Sequence, residues 1–206
     1  MANRRSKGEV SVTVNDDMPT KRRDILMAAR KMFAQFGRKT SMDDIAKIAQ
    51  VSKKTIYNHF RSKEELFRAV VDCDAIILIQ VLQNAVRSQP TIRGKLNAYV
   101  ATKISKLKEF INFYNVTRET VIDFWPEVHG MLERYTEMEK DIILDILQEG
   151  IRRDELVISD PELAAYSIVL ALRGYEASWL NRGLNFDLEQ SIGKLLDILF
   201  NGIRKR

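Results

Sequence analysis

Apolar residues recur at helical spacing along almost the whole chain, and no segment shows the strict alternation of a β-strand. The first clear stripe begins at Ile25 and repeats every three or four residues to Phe36, before Gly37 ends the predicted helix at about 20–36. Eight further helices are predicted over 44–50, 53–60, a long segment from Ser62, 91–113, 117–124, 126–152, 161–182 and 187–204. About nine helices and no strand predict an all-α fold.

Proline and small polar residues mark where these helices begin. Pro19, Pro90, Pro126 and Pro161 each stand just before or in the first turn of a predicted helix, where a missing N–H is tolerated. Three serines occupy N-cap positions, two of them with an acidic residue three places later, and they are Ser41, Ser52 and Ser62. The caps at Ser41 and Ser52 define two short helices joined by a tight turn.

Two short helices after a longer supporting helix form the helix-turn-helix arrangement of DNA-binding proteins. The second short helix has Ile56 and Phe60 to anchor it, and its other side chains are those that contact phosphates or base edges. The predicted DNA contacts are Thr40, Ser41, Ser52, Lys53, Lys54, Thr55, Tyr57, Asn58, His59 and Lys63. Each is also compatible with a solvated or packed side chain, but caps, turn and helix lengths agree on the motif.

The charge distribution supports the same interpretation. Residues 1–63 contain 15 Lys and Arg against 6 Asp and Glu, a net charge of +9. The remaining residues contain 18 against 22, a net charge of −4, so a basic end precedes a mildly acidic body. Residues 1–18 lack helical periodicity and are predicted to be a flexible basic arm.

Composition excludes several other classes. One cysteine, Cys73, rules out an intramolecular disulfide, and with His59 and His129 it leaves too few ligands for a structural zinc site. We find no glycine-rich phosphate loop and no catalytic triad spacing. We therefore expect a protein that is not an enzyme and that binds neither a metal ion nor a cofactor. The N-terminus lacks the apolar core of a signal peptide, and we expect a cytoplasmic protein without membrane contact.

Residues 40–67, TSMDDIAKIAQVSKKTIYNHFRSKEELF, resemble the signature of the tetracycline-repressor (TetR) family, and the segment from Ile25 to Gly37 resembles its first helix. Two positions depart from the family pattern, which often has glycine where Gln50 and Lys54 stand. The turn position is expected to need a left-handed backbone, so Gln50 implies strain of about 1 kcal/mol. Lys54 adds a cation to the recognition helix, which leaves the operator sequence open but not the DNA binding.

The resemblance implies that residues 19–63 form the DNA-binding domain and 64–206 a larger helical domain for ligand binding and dimerisation. The last two helices support dimerisation independently, because they carry more apolar surface than the fold of one chain would bury. The predicted interface consists of Tyr166, Leu170, Gly174, Ala177, Leu188, Ile192, Leu195, Leu196 and Leu199. Packing of these helices inside the monomer is the alternative.

The middle of the body is rich in large side chains, which the resemblance suggests line a cavity between helices. The predicted pocket consists of Phe110, Phe113, Tyr114, Phe124, Trp125, Met131, Tyr135 and Trp179. An ordinary core is the competing interpretation. Acidic residues nearby (Glu119, Asp123, Glu127) suit a cationic ligand, whereas Arg118 or Arg173 suits a carboxylate or an acyl-CoA phosphate, and the sequence does not choose.

The function implied by the resemblance is ligand-controlled repression. A homodimer binds a palindromic, double-stranded operator and is released when a small, largely apolar effector enters the body and shifts the helix that begins at Ser62. An activator, or an architectural DNA-binding protein without an effector, remains the alternative. The effector, the operator and the regulated genes are not predicted.

Overall fold

The computed structural model consists of helices joined by short turns, and it contains no strand among the residues described, 19–114, 118–182 and 188–201. Many residues that flank the two internal gaps are described by their backbone alone. In chain order the helices are α1 (Thr20–Phe36), α2 (Met42–Ala49), α3 (Lys53–His59), α4 (Lys63–Arg87), α5 (Ile92–Tyr114), α6 (Arg118–Arg152), α7 (Pro161–Arg182) and α8 (Leu188–Asn201). A short 3₁₀ turn, Gly37–Lys39, separates α1 from α2. The predicted all-α fold is confirmed.

The described part of the chain has eight helices, not nine, because residues predicted as two helices form the single helix α6. Pro126 therefore lies inside a helix and does not start one, so that prediction is wrong. Proline removes one backbone hydrogen bond in a helix interior, but the 35 residues of α6 continue on both sides of it. On the C-terminal side of the proline, Ile142, Ile143 and Ile146 are buried and hold α6 in the body core.

The head, which we define as α1–α3 with the first turns of α4, has its own hydrophobic core. Ile25, Ala29 and Ile45 are fully buried there, and Phe33 packs edge-on against Phe67 of α4 with 5.1 Å between ring centroids. Phe36, which the periodicity placed on the same stripe, is 47% exposed at the end of α1. The apolar face of α1 therefore stops one turn earlier than predicted.

The body, α5–α8 with the rest of α4, encloses a second core. Leu82 of α4, Tyr99 of α5, Ile143 of α6 and Leu172 of α7 are among its fully buried members. Ile192 of α8 also belongs to it, at 1% exposure. The body is thus a helical bundle with α4 as one of its walls.

Helix α4 belongs to both cores and is the structural connection between head and body. Its first turns contribute Leu66, Phe67 and Val70 to the head core, and its later turns contribute Ile79 and Leu82 to the body core. By length and composition α4 would also be able to cross a membrane. It packs instead against α1, α5 and α6, as a core helix of this fold does.

Candidate nucleic-acid interface

The three predicted serine caps are present and set the geometry of the head. Ser41 accepts a hydrogen bond from the Asp44 N–H at 3.1 Å, Ser52 from the Thr55 N–H at 3.0 Å and Ser62 from the Glu65 N–H at 3.1 Å. Each cap satisfies a free N–H in the first turn of its helix, at about 1 kcal/mol. The short helices α2 and α3 therefore begin at fixed residues.

Gln50 makes the turn between α2 and α3 with φ 54° and ψ 41°, the left-handed conformation predicted for this position. Its N–H lies within hydrogen-bond distance of the Lys47 carbonyl at 3.3 Å, and the Val51 N–H donates to the Ala46 carbonyl at 3.0 Å. The turn is therefore closed by backbone hydrogen bonds in spite of the side chain at Gln50. This geometry directs α3 away from α2.

Helix α3 has a buried side and an exposed side. Ile56 is fully buried and Phe60, just after the helix, is 1% exposed with the Arg22 guanidinium 4.9 Å from its ring centroid. These two residues fix α3 on the head core. The opposite side is free to face a partner.

Lys54, Tyr57 and Asn58 are three and four residues apart and form one exposed face of α3. Tyr57 is 45% exposed, and none of the three side chains makes a hydrogen bond or ion pair with another described residue. Their ammonium, hydroxyl and amide groups are therefore available as donors to phosphates or base edges. His59 is half-buried and contributes less of its surface to this face.

Lys53 is exposed but is held by Asp43 of α2, whose Oδ2 lies 2.8 Å from the lysine Nζ. The hydrogen bond to Asp43 raises the pKa of Lys53 above its ordinary value. Thr55 is likewise engaged, since its hydroxyl lies 2.8 Å from that of Ser52. Lys63 is half-buried at the first residue of α4. Lys53, Thr55 and Lys63 are therefore less available to a partner than the exposed face formed by Lys54, Tyr57 and Asn58.

Thr40 is misplaced in the predicted set of DNA contacts. Its side chain is 2% exposed and its hydroxyl donates to the Met32 carbonyl oxygen at 2.9 Å. The hydroxyl satisfies a carbonyl in the last turns of α1 and joins α1 to the start of α2. It is therefore a structural group of the head core.

Polar contacts connect the head to the body on both sides of α4. Arg30 of α1 forms an ion pair with Asp74 of α4, with Nε 2.7 Å from Oδ1, and its guanidinium also lies 4.1 Å from the ring centroid of Phe113 at the end of α5. On the other side, Asp72 accepts a hydrogen bond from the Tyr135 hydroxyl of α6 at 2.6 Å. Motion of α5 or α6 would therefore reach α1 and α4 directly.

The predicted pocket residues do not share one environment. Phe110 and Phe113 are each 38% exposed, whereas Tyr135 is buried, and burial with the hydrogen bond to Asp72 raises the pKa of its hydroxyl. Met131 lies with Tyr135 beside the first turns of α4. The side chains of Tyr114, Phe124, Trp125 and Trp179 lie outside those that the structure describes.

A buried cluster of ionisable side chains occupies the centre of the body, and among its members only Arg173 is singled out by the sequence, as a candidate ligand for an acidic effector. Lys103 of α5 lies 2.5 Å from Glu139 of α6 and 2.9 Å from Glu176 of α7, and the Tyr99 hydroxyl donates to Glu139 at 3.1 Å. Burial raises the pKa of both Glu176 and Tyr99. A signal was available, because Lys103 and Glu139 stand at buried positions of apolar helical stripes.

The predicted dimer residues divide between surface and core. Tyr166, Leu170 and Leu199 are 40–47% exposed, Gly174 and Ala177 are exposed, and Leu195 is half-buried. Ile192 and Leu196 are 1% and 4% exposed and belong to the body core, so their assignment to a surface interface is corrected. One face of α8 packs into the body core, and Ile198 and Leu199 remain exposed outside it. The side chain of Leu188 lies outside those described.

Comparison with known proteins supports a regulatory role for this architecture. Residues 25–70 match the model of bacterial regulatory proteins of the tetR family. Over 178 residues, 83% of this chain and 90% of the relative, the sequence is 31% identical to the uncharacterized HTH-type transcriptional regulator YhgD of Bacillus subtilis. It is 26% identical to the HTH-type transcriptional activator FasR of Mycolicibacterium smegmatis, over 89% of this chain and 83% of that one.

A solved structure shares the fold. The transcriptional regulator FadR of Bacillus subtilis, crystallised in complex with stearoyl-CoA, superposes with a TM-score of 0.64 at 20% identity. The match covers 88% of this chain and 99% of that one. The similarity therefore extends over head and body together.

Proposed function

Because the chain belongs to the tetR family of bacterial regulatory proteins, we propose that it acts as a dimeric repressor, released from a two-fold symmetric operator by a small, largely apolar effector. The exposed face of α3 carries this proposal. Lys54, Tyr57 and Asn58 project from a helix whose other side is buried in the head core, and they have no hydrogen-bond or ion-pair partner among the described residues. A bacterial regulator of this kind works in the cytoplasm, where its DNA is. We assign no enzymatic step to the chain, since its relatives are transcription regulators.

Dimerisation is supported by the apolar surface that one chain leaves uncovered. Leu163, Tyr166 and Leu170 of α7 and Ile198 and Leu199 of α8 are 40–61% exposed. A two-fold axis through this face would pack α7 and α8 against their copies and cover it. Two α3 helices would then be available for two half-sites, about one turn of DNA or a multiple of it apart.

Release by an effector is supported by the way in which the body is attached to the head. Helix α4 lies in both hydrophobic cores, and α1 is tied to it through Arg30 and Asp74. An effector that binds more tightly to one arrangement of the body shifts the separation of the two α3 helices through α4. Fatty acyl compounds are the first candidates to test, because a protein of the same fold binds stearoyl-CoA.

The DNA-binding proposal is tested with a fragment selected from genomic DNA. We expect Lys54→Ala to weaken binding at least about fivefold, since it removes a phosphate or base contact. The matched control is Lys108→Ala, which removes the same charge from an exposed position on α5, away from α3 and from the proposed dimer face. Equal effects of the two substitutions, or no effect of either, would contradict the role given to α3.

The effector proposal needs a separate measurement. Long-chain acyl-CoA and the free fatty acid are titrated into the protein–DNA complex while fluorescence anisotropy reports the bound fraction. Release at micromolar ligand supports the proposal, and unchanged DNA affinity in the presence of a ligand shown to bind would refute it. An activator, as FasR is, would instead raise transcription from the adjacent promoter when bound.

A further inference from the structure

A groove of about 790 Å³ lies at the junction of head and body. One wall consists of the turn after α3 and the first turns of α4, and the other is a segment of α6. Its polar lining residues include Arg61, Ser62, Glu65, Arg68, Asp72 and Arg134. This volume falls within the range of about 300–1,000 Å³ that is usual for small-molecule sites.

The two carboxylates in this junction groove already have partners inside the protein. Glu65 Oε2 accepts a hydrogen bond from the backbone N–H of Arg61 at 2.7 Å. Asp72 Oδ1 accepts from the Tyr135 hydroxyl at 2.6 Å and from Arg134 at 3.1 Å. Both carboxylates therefore stabilise the walls of the groove, and their negative charge is partly neutralised by these donors.

The positive charge in the groove is less engaged. The side chains of Arg61 and Arg68 are exposed, and neither guanidinium makes an ion pair with a described residue. Arg134 is 61% exposed although it pairs with Asp72. Ser62, which caps α4, also lines the groove and brings the positive end of that helix dipole to it. Guanidinium groups match the oxygens of phosphate with paired N–H donors.

We propose that the junction groove binds a phosphate-bearing small molecule through Arg61, Arg68 and Arg134. Tyr135 and Met131 add an aromatic and an apolar surface beside these cations, which suits a ligand with an organic portion as well as phosphate. Such a ligand bridges the turn after α3 to α6. It therefore holds the head at one separation from the body.

The effect of this ligand on DNA binding rests on the proposed function, whereas its binding does not. A molecule that spans Arg61 and Arg134 stabilises those arrangements in which the two walls are close. If the operator-bound dimer needs a different separation, the phosphate ligand acts with or as the effector. Binding and its consequence can therefore be measured separately.

Binding is tested by titration calorimetry on the full chain without DNA, with pyrophosphate and ADP as the probes. We expect saturable binding of one probe molecule per chain, weakened about tenfold or more in Arg68→Gln because a charge-assisted hydrogen bond is lost. Arg87→Gln is the matched control, since it removes the same charge from an exposed position at the far end of the same helix, and we expect less than a twofold change. Both variants are checked for wild-type helix content by circular dichroism.

Three results would overturn the proposal. The first is no saturable heat with either probe up to millimolar concentration, and the second is an equal loss in Arg68→Gln and Arg87→Gln. The third is a tenfold loss of operator affinity in Arg68→Gln without probe, which would assign the arginine to the DNA backbone. If the probes bind as expected and the DNA affinity of the wild type does not change, the site stands and only its regulatory consequence fails.

Discussion

Replacing Lys103 with methionine would test whether the buried ionic cluster holds the body together. Lys103 Nζ joins Glu139 of α6 to Glu176 of α7 from its position on α5, and the side chains of Lys103 and Glu139 are 7% and 5% exposed. Methionine preserves most of the volume but removes the charge that the two carboxylates share. Arg173, with its Nη2 3.8 Å from Glu139 Oε1, is then the cation that remains nearest to them.

Breaking a buried ion pair by removing one partner costs about 3–5 kcal/mol. The lower end applies here, because Arg173 remains and because a carboxyl group can take up a proton. We therefore expect the free energy of unfolding of Lys103→Met to be lower than wild type by about 3 kcal/mol at pH 7.5. For comparison, Lys106→Met on the same helix removes an exposed pair with Glu109 and should cost less than about 1 kcal/mol.

The loss of stability in Lys103→Met should depend on pH in a defined direction. Burial raises the pKa of Glu176, and loss of Lys103 removes a cation that opposes this effect. A carboxyl group with a raised pKa in the folded state stabilises the fold fully below its unfolded pKa of about 4.3, and this contribution is lost as the pH rises through the folded pKa. The deficit of Lys103→Met should therefore be smaller at pH 5 than at pH 7.5.

The assay is urea unfolding followed by circular dichroism at both pH values. All variants are compared at one protein concentration, because the stability of a dimer depends on it. A Lys103→Met protein within about 1 kcal/mol of wild type at pH 7.5 would refute the structural role. So would a deficit equal at both pH values, which would point to packing and not to charge.

Three further substitutions test local features by the same unfolding measurement. Gln50→Gly should raise the free energy of unfolding by about 0.5–1 kcal/mol, since φ at this residue is 54°, and no gain would contradict the strain. Thr40→Val should lower it by about 1–2 kcal/mol through loss of the hydrogen bond to Met32, and an unchanged value would contradict that role. Gly150→Ala should lower it by about 1–3 kcal/mol, because an added Cβ would lie 2.6 Å from Leu156 Cδ1, and full stability would show that Leu156 moves freely.

The head was predictable because its signals are local. Ser41, Ser52 and Ser62 cap helices through residues three positions away, and the turn at Gln50 depends on the residues beside it. What sequence could not show is which polar side chains are already engaged inside the protein. Asp43 reaches Lys53 across ten residues, and the hydroxyl of Thr40 faces inward to Met32.

The body was predicted less completely, because the burial and the partners of its side chains depend on helices that are distant in sequence. Some apolar residues of α8 face the core and others, such as Leu199, are exposed, so the burial of Ile192 and Leu196 is decided by how α8 packs against α5 and α7. Lys103 and Glu139 are 36 residues apart, and their pairing requires the packing of α5 on α6. The usual preference of proline for helix starts predicts a new helix at Pro126, but α6 continues through this position as one helix of 35 residues.

In the proposed function, α3 reads a specific, two-fold symmetric DNA site. The most direct test is selection of bound fragments from genomic DNA with the full chain, beside a Lys54→Ala/Asn58→Ala double variant. We expect strong enrichment of a palindromic site by the wild-type protein, bound by two chains, and loss of that enrichment in the double variant. Enrichment that is absent from the wild type, or identical in both proteins, would contradict it.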